Sequence, residues 1–214
     1  MQSSRTPGLL KVAEADFPTR FGCFRIFGFE GRYQDRPEEA VVLNMGSLGV
    51  PSSNGHGEAP VPPLVRIHSQ CLTGDVFHSL RCDCRAQLEL ALGMIAAEGR
   101  GLLIYEHQEG RGIGLLNKLR AYELQDRGAD TVEANIRLGF EPDLRRYQLP
   151  GDVLHYFGLT RIRLLSNNPE KVQAMESAGI EVEERVPCLV PPLVSTEAYL
   201  RTKKEKMGHL LEGF

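Results

Sequence analysis

Three cysteines, Cys71, Cys82 and Cys84, are the residues whose type and spacing most clearly predict chemistry. They form a C-x10-C-x-C pattern inside a run that also holds arginine, histidine and aspartate. Structural zinc sites usually have four protein ligands, whereas catalytic zinc sites use three and leave one position for water or substrate. The alternative is three buried thiols, since free cysteine is often buried. Three thiolates without a fourth nearby favour a catalytic zinc site. Cys82 and Cys84 are expected in a turn or irregular segment, because residues two apart do not share a helix face.

A glycine-rich segment, 106–114, follows a predicted buried strand and opens a predicted helix. A turn that enters a helix N-terminus offers backbone N–H groups to a phosphate, and Arg111 adds a forked cation suited to phosphate oxygens. The pattern Gly110-x-Gly112-x-Gly114 is neither a dinucleotide-binding fingerprint nor a Walker sequence. Taken alone, it fits an ordinary β–α turn equally well.

Two further loops carry charged residues at the ends of predicted elements. Asp143 and Arg145 could form a surface ion pair, or they could serve as an acid/base group and a phosphate anchor. The segment 167–171, which includes Lys171, could bind a phosphate or simply cap the helix that follows. Together with the cysteines, these loops predict an anionic, phosphate-bearing substrate that is hydrolysed with the help of a metal ion.

Alternating strands and helices must position these loops. The pattern predicts an α/β fold with a mixed β-sheet core, flanking helices and a β-rich N-terminal part. It predicts one domain over residues 1–214, with a Gly/Ser/Pro-rich flexible loop at about 46–63. Strands are predicted over 21–30, 39–45, 64–69, 101–107, 162–166 and 180–185, and helices over 86–98, 113–127, 151–157, 169–178 and 197–211.

Composition limits the classes of protein that remain. Of 214 residues, 42% are hydrophobic and 25% charged, which is typical of a globular protein. The net charge of −3 gives no overall attraction to nucleic acid or membrane surfaces. No apolar run approaches the roughly 20 residues of a membrane span, and the N-terminus has no apolar signal-peptide core. Five cysteines, an odd number, favour the reducing cytoplasm over a disulfide framework.

At this point the ordered motifs resemble those of GTP cyclohydrolase II, from about residue 10 to the C-terminus. The segments that carry the resemblance are 66–75 (RIHSQCLTGD), 80–84 (LRCDC), 107–111 (HQEGR), 114–118 (GLLNK), 130–135 (DTVEAN), 138–140 (LGF), 143–145 (DLR), 167–171 (NNPEK), 184–187 (ERVP) and 206–209 (KMGH).

This resemblance implies an enzyme that converts GTP to 2,5-diamino-6-ribosylamino-4(3H)-pyrimidinone 5′-phosphate, formate and pyrophosphate, the first committed step of riboflavin synthesis. It implies one zinc ion per subunit, Mg²⁺ with the GTP phosphates, and a homodimer. It also implies the roles of individual residues. Zinc is bound by Cys71, Cys82 and Cys84. Asp143 is the proton acceptor, Arg145 the nucleophile and Tyr122 the residue that completes the second hydrolysis. GTP is bound by Arg66, Ile67, His68, Ser69, Gln70, Gln87, Glu109, Gly110, Arg111, Thr131, Ser166 and Lys171.

The departures from the family pattern are small. Gln70 stands where glutamate is frequent, Ser166 where threonine is frequent, and Gly112 where asparagine is frequent. Two alternatives stay open. One is a paralogue that stops at the formamide product, which the presence of Tyr122 disfavours. The other is a non-catalytic zinc module that binds nucleotides, which the three-ligand count disfavours.

Overall fold

The computed structural model describes residues 8–48, 61–192 and 194–211. A seven-stranded mixed sheet in the order β1-β2-β3-β5-β4-β6-β7 forms its centre. The strands are Leu9–Thr19 (β1), Gly22–Tyr33 (β2), Arg36–Met45 (β3), Leu64–Ser69 (β4), Gly101–Glu106 (β5), Arg161–Leu165 (β6) and Glu181–Val186 (β7). The helices are Leu72–Asp75 (α1), Cys84–Glu98 (α2), Leu115–Asp126 (α3), Thr131–Arg137 (α4), Gln148–Tyr156 (α5), Pro169–Ser177 (α6) and Glu197–Met207 (α7).

The sheet has an antiparallel half and a parallel half. Strands β1, β2 and β3 form an antiparallel meander, and β3 pairs antiparallel with β5. Strands β5, β4, β6 and β7 run parallel to one another. In α/β sheets the ligand crevice lies at the carboxyl ends of parallel strands. The loops that follow β4, β5 and β6 therefore meet at one edge of the sheet.

The central strand β4 is covered on both faces, as parallel strands usually are. On one face, Leu64 packs in a cluster with Ile95 of α2 and Leu103 of β5. On the other face, Val65 packs in a cluster with Leu154 of α5. This packing fixes the direction in which β4 delivers the chain to the cysteines, since the strand cannot shift without opening both clusters.

The α/β class and the mixed sheet are confirmed, and β1 to β3 form the β-rich N-terminal part. The strand predicted over 64–69 has those bounds. The helix predicted over 151–157 begins earlier, at Gln148. The helix predicted over 197–211 ends at Met207, because Gly208 adopts a left-handed conformation with φ of 63°.

Strand β1, the four-residue helix α1 and helix α4 were missed in the sequence. Strand β1 is exposed along nearly its whole length, so it lacks the alternation of apolar and polar residues that identifies a half-buried strand. Helix α4 begins with a capping box: Asp130 accepts from the backbone N–H of Glu133, whose side chain accepts from the N–H of Asp130. That D-x-x-E pattern is a helix start that can be read from sequence.

Most of the predicted flexible loop at 46–63 lies outside the described residues, since 49–60 are not described. The single domain over 1–214 stays a prediction. None of the helices in the described ranges combines the length and the apolar character that a membrane span requires.

Candidate active site

A pocket lies at the carboxyl ends of β4, β5 and β6, and most of the predicted site residues meet there. Its empty space is about 1100 Å³, part of it open to solvent. The predicted residues that line it are Arg66, His68, Ser69, Gln70, Cys71, Cys82, Cys84, Gln87, Glu109, Gly110, Arg111, Tyr122, Thr131, Arg145, Ser166 and Lys171.

The three cysteines lie together at this pocket. Cys71 follows β4, Cys82 lies in an irregular segment, and Cys84 is the first residue of α2. Their Sγ atoms all lie within 4.8 Å of one another, and those of Cys71 and Cys82 are 3.6 Å apart. Three soft sulfur donors at this spacing can hold a metal ion.

A glycine in the backbone beside the cysteines leaves room for their sulfur atoms. A Cβ atom added at Gly74 would lie 2.9 Å from the Sγ of Cys82 and 3.1 Å from that of Cys71. The next residue, Asp75, is buried and accepts a hydrogen bond of 3.0 Å from the backbone N–H of Cys71. The hydroxyl of Tyr105 donates to the same carboxylate at 2.8 Å. Gly74 thus makes space for the cluster, while Asp75 fixes the backbone of one of its members.

Lys118 brings a positive charge to the cysteines. Its Nζ lies 3.1 Å from the Sγ of Cys71 and 2.6 Å from Oε1 of Glu109. Hydrogen bonds with Cys82 and Cys84 lower the pKa of Cys71, and the ammonium of Lys118 lowers it further. Cys71 is therefore poised as a thiolate, the form that binds metals.

Tyr122 lies at the rim of the cluster. Its hydroxyl is 3.1 Å from Oγ1 of Thr73, which in turn is 3.7 Å from the Sγ of Cys71. Burial raises the pKa of Tyr122, so the phenol keeps its proton at neutral pH. The side chain can therefore donate a hydrogen bond to a group held beside the cysteines.

Further cations line the pocket. The buried Arg66 donates to Oε1 of Gln87 at 2.8 Å, and its Nε has no hydrogen-bond partner within the described part of the chain. Lys171 donates to the carbonyl of Ile67 at 2.8 Å. Burial and the charges of Arg66 and Arg145 lower the pKa of Lys171 to about 7. An anion bound here would offset this repulsion and hold Lys171 in its charged form.

Arg111 lies on the turn between β5 and α3. Its φ of 63° is uncommon for a residue other than glycine, and its buried NH1 has no hydrogen-bond partner in the ranges that the structure describes. The following Gly112 has φ of 88°, and a Cβ atom there would lie 3.1 Å from the backbone carbon of Leu144. The Leu144 N–H donates to the carbonyl of Arg111 at 3.0 Å. This close approach joins the glycine-rich turn to the loop that carries Arg145.

Asp143 and Arg145 form a hydrogen-bonded ion pair. The Nε of Arg145 lies 2.9 Å from Oδ1 of Asp143 and 3.1 Å from Oδ2, and NH2 also contacts Oδ2. Burial alone lowers the pKa of Arg145, but the hydrogen bonds with Asp143 raise it overall. Burial alone raises the pKa of Asp143, but Arg145 lowers it overall. Both groups are therefore charged in the free protein.

Some predicted residues take up positions that sequence alone does not specify. Ile67 has its side chain in the core, and only its carbonyl approaches the site, through Lys171. Asp143 does not line the pocket but binds Arg145, which does. His68 is buried, with Nε2 3.2 Å from a carboxylate oxygen of Asp75.

Several residues of the site were missed in the sequence. Asp75 follows Cys71 by four residues, inside a motif that was recognised, and Gln108 lies inside another. The remaining pocket residues that were not singled out include Lys118, Asn168, Tyr199, Lys203 and His209. Of these, Lys118, Asn168 and His209 fall in recognised segments, whereas Tyr199 and Lys203 do not.

Fold and site together define a class: an α/β enzyme with a three-cysteine cluster that can hold a metal ion, facing a pocket lined by cations. The family model for GTP cyclohydrolase II matches residues 10–187. The chain belongs to the GTP cyclohydrolase II family, and it is a hydrolase.

Curated relatives are similar in sequence to this chain over most of their length. A GTP cyclohydrolase-2 from Haemophilus influenzae (strain PittGG) is 50% identical over 200 residues, covering 94% of this chain and 88% of the relative. One from Actinobacillus succinogenes is 51% identical over 201 residues, covering 94% and 88%. One from Buchnera aphidicola is 49% identical over 203 residues, covering 95% and 98%. A solved two-domain 3,4-dihydroxy-2-butanone 4-phosphate synthase from A. baumannii matches 86% of this chain and 41% of its own with TM-score 0.42 and 17% identity, too weak a likeness to carry any argument.

Proposed function

We propose that this enzyme hydrolyses GTP to 2,5-diamino-6-ribosylamino-4(3H)-pyrimidinone 5′-phosphate, formate and pyrophosphate, the first committed step of riboflavin biosynthesis. The observation that carries the proposal is the meeting of a three-cysteine cluster with Arg66, Arg111 and Lys171 in one pocket. The reaction needs both groups. Carbon C8 of the guanine ring leaves as formate by hydrolysis, and the triphosphate, which loses pyrophosphate, carries charge that must be offset.

Zinc is the metal that we propose for the cysteine cluster. Zinc–sulfur bonds of about 2.3 Å in tetrahedral geometry separate neighbouring sulfurs by roughly 3.8 Å. The 3.6 Å between Cys71 and Cys82 is close to that spacing. A zinc ion with three protein ligands supplies a Lewis acid with one open coordination position. The contacts of Lys118 and Thr73 with Cys71 support the orientation of that ligand.

The cations of the pocket are proposed to bind the triphosphate together with Mg²⁺. The unpartnered Nε of Arg66 and NH1 of Arg111 are donors that remain available to phosphate oxygens. Lys171 gains a full charge when an anion approaches, as its lowered pKa implies. The further residues proposed to bind GTP are Ile67 (through its carbonyl), His68, Ser69, Gln70, Gln87, Glu109, Gly110, Thr131 and Ser166.

Arg145 is proposed as the nucleophile toward the α-phosphorus, with Asp143 as its proton acceptor. Their ion pair keeps Arg145 protonated in the free enzyme, and a protonated guanidinium is a poor nucleophile. The proposal therefore requires transfer of a proton from Arg145 to Asp143 as the P–N bond forms and pyrophosphate leaves. A guanylyl adduct on Arg145, detected by mass spectrometry of the quenched enzyme, supports this role. If Arg145 only stabilises the transition state, no adduct forms.

Product analysis tests the proposed function. GTP is supplied with zinc and Mg²⁺, and formate, pyrophosphate and the diaminopyrimidine are followed together in the wild type and in Cys82→Ser. Cys23→Ser is the matched control, because Cys23 is exposed and outside the cluster. We expect all three products from the wild type and the control, and no formate from Cys82→Ser.

Other outcomes point to the alternatives. A formamide product with pyrophosphate but no formate would identify a paralogue that stops early. Binding of GTP without any product would identify a non-catalytic module. We also propose a homodimer, which the exposed apolar side chains of Phe77 and Leu116 support, and which sedimentation velocity measures directly.

A further inference from the structure

The C-terminal segment 197–211 forms one wall of the pocket. Tyr199, Lys203, Met207 and His209 all line it, and Leu200 of the same helix is buried. The segment lies beyond residue 187, where the match to the family model ends.

Two contacts dock this segment beside the substrate pocket. The Nζ of Lys203 lies 3.2 Å from Oδ1 of Asp83, and both side chains are largely buried. Asp83 stands between Cys82 and Cys84, so α7 is fastened to the cysteine cluster. After the helix, the backbone N–H of Leu210 donates to the carbonyl of Asn167 at 2.9 Å. The segment therefore spans the pocket from the cysteine side to the loop that follows β6.

The end of α7 turns the chain back toward the pocket. Gly208 has φ of 63°, and the N–H of His209 donates to the carbonyl of Lys203 at 3.1 Å. This pattern ends a helix and reverses the chain. The reversal brings the His209 side chain to the pocket. A continued helix would have taken residue 209 beyond the pocket.

The imidazole of His209 has an unused polar atom. Its Nε2 is buried and has no hydrogen-bond partner among the residues that the structure describes. Burial, together with the charges of Lys203, Arg145, Lys171 and Arg111, lowers the pKa of His209 to about 2. The ring is therefore neutral, with one nitrogen able to donate a proton. Buried polar atoms nearly always have partners, so an unpaired one that lines a pocket points to a ligand.

We propose that Nε2 of His209 donates a hydrogen bond to a phosphate oxygen of the substrate, which makes the C-terminal segment part of the binding site. The inference rests on the proposed function for the identity of the substrate. The chemistry favours a phosphate oxygen over the guanine base, because Lys203, Arg145, Lys171 and Arg111 all act on His209. Asp83 and Asp143 already pair with Lys203 and Arg145, so a polyanion offsets chiefly the charges of Lys171 and Arg111, whereas a neutral base offsets neither.

The test compares two amides at position 209. The side-chain nitrogen of glutamine reaches the position of imidazole Nε2, whereas that of asparagine reaches only the position of Nδ1. The variants are His209→Gln and His209→Asn, with Lys204→Ala as the matched control, since Lys204 is an exposed residue of α7. Calorimetry measures binding of inorganic triphosphate to the metal-loaded enzyme, and the KM and kcat for GTP are measured in parallel. Melting temperatures verify that each variant is folded.

We expect His209→Asn to weaken triphosphate binding about tenfold, the effect of roughly one hydrogen bond to a charged group, with a matching rise in KM. His209→Gln should stay within about threefold of the wild type, and Lys204→Ala should be unchanged. Wild-type affinity in folded His209→Asn overturns the inference. So does equal weakening in both amide variants, because the donor at Nε2 would then not be the cause.

The two proposals fail separately. A wild type that binds triphosphate through His209 but releases no formate from GTP supports the inference and overturns the proposed function. A wild type that releases formate, but whose triphosphate affinity is independent of position 209, overturns the inference alone. A wild type that binds no triphosphate overturns the inference as well.

Discussion

The side-chain amide of Gln108 binds the backbone of Arg146 in both directions. Its Nε2 donates to the carbonyl of Arg146 at 2.6 Å, and the N–H of Arg146 donates to its Oε1 at 2.7 Å. The same Nε2 also donates to Oε1 of Glu106 at 2.8 Å. The Gln108 side chain thereby makes the same two hydrogen bonds to the loop backbone that a neighbouring β-strand would make. The loop it fixes carries Arg145 and Asp143, so Gln108 positions the ion pair without belonging to it.

Removal of this amide should impair catalysis more than binding. We expect Gln108→Ala to lower kcat for pyrophosphate release on the order of 100-fold, because small displacements of a reacting group cost that much. The KM for GTP should change little, since Arg66 and Lys171 remain in place. Gln148→Ala is the control, because Gln148 is exposed at the start of α5. A variant with raised KM and normal kcat would contradict a positioning role.

Lys118 compensates buried negative charge beside the cysteines, as its contacts with Cys71 and Glu109 indicate. Lys118→Met leaves Glu109 buried and unpaired. We expect the free energy of unfolding to fall by about 3 kcal/mol, the usual cost of breaking a buried ion pair. Urea unfolding measures it with a chelator present, so that bound metal does not contribute.

The double variant Lys118→Met/Glu109→Gln provides the control for that experiment. It removes the uncompensated carboxylate, so it should recover a substantial part of the lost free energy of unfolding. A double variant as unstable as Lys118→Met, or additive losses from the two changes, would contradict a role for Lys118 as the partner of Glu109.

The secondary-structure elements of this protein can be predicted from its sequence more fully than the side-chain contacts between them. The strand over 64–69 can be predicted because Val65 and Ile67 alternate with Arg66 and His68 after a Pro-rich segment. The helix from Pro169 can be predicted because Asn168 and Pro169 mark its start. Strand β1 cannot be predicted, because most of it is exposed and its sequence therefore lacks the alternation of apolar and polar residues. Features that depend on neighbouring residues can be predicted from the sequence. Features that depend on contacts between distant parts of the chain cannot.

The site follows the same division. Cys71, Cys82 and Cys84 stand close together in sequence and are soft ligands, so their meeting at one point is predictable. Lys203 meets Asp83 across 120 positions of the chain, and no local pattern specifies that contact. The sheet order decides which loops become neighbours, and the packing of α7 decides which of its side chains face the pocket.

Glu106 predicts a pH dependence of stability. Burial raises the pKa of this carboxyl from 4.5 to about 7. As pH rises from 4.5 to 7, the unfolded chain ionises at this position before the folded protein does. The contribution to stability is therefore fully present below about pH 4.5, falls as pH rises, and is lost above about pH 7.

Glu106→Gln isolates that contribution, because the amide keeps an oxygen for Gln108 and does not ionise. The free energy of unfolding of the wild type minus that of the variant should fall between about pH 4.5 and 7, by on the order of 3 kcal/mol. It should then be level above pH 7. Exposed Glu141→Gln is the matched control. A difference that rises over this window would contradict the raised pKa.

Tyr122 should decide whether the reaction runs to formate. Its hydroxyl lies 3.1 Å from Oγ1 of Thr73 at the rim of the cysteine cluster, whereas Arg145 is bonded to Asp143. Loss of the hydroxyl should therefore spare release of pyrophosphate and impair the second hydrolysis of the ring. We expect Tyr122→Phe to consume GTP and release pyrophosphate while formate release falls at least tenfold, so that a formamide product accumulates. General acid or base groups contribute effects of roughly 100-fold or more, which sets the scale.

The matched control is Tyr156→Phe, because Tyr156 packs beside Phe29 in the core and does not line the pocket. Chromatography with mass detection separates the formamide from the diaminopyrimidine, and a coupled assay follows formate. Equal loss of pyrophosphate and formate in Tyr122→Phe would mean that the phenol supports binding or folding in general. Undiminished formate would mean that another donor completes the second hydrolysis, and His68, held by Asp75 beside the same cluster, would be the next residue to replace.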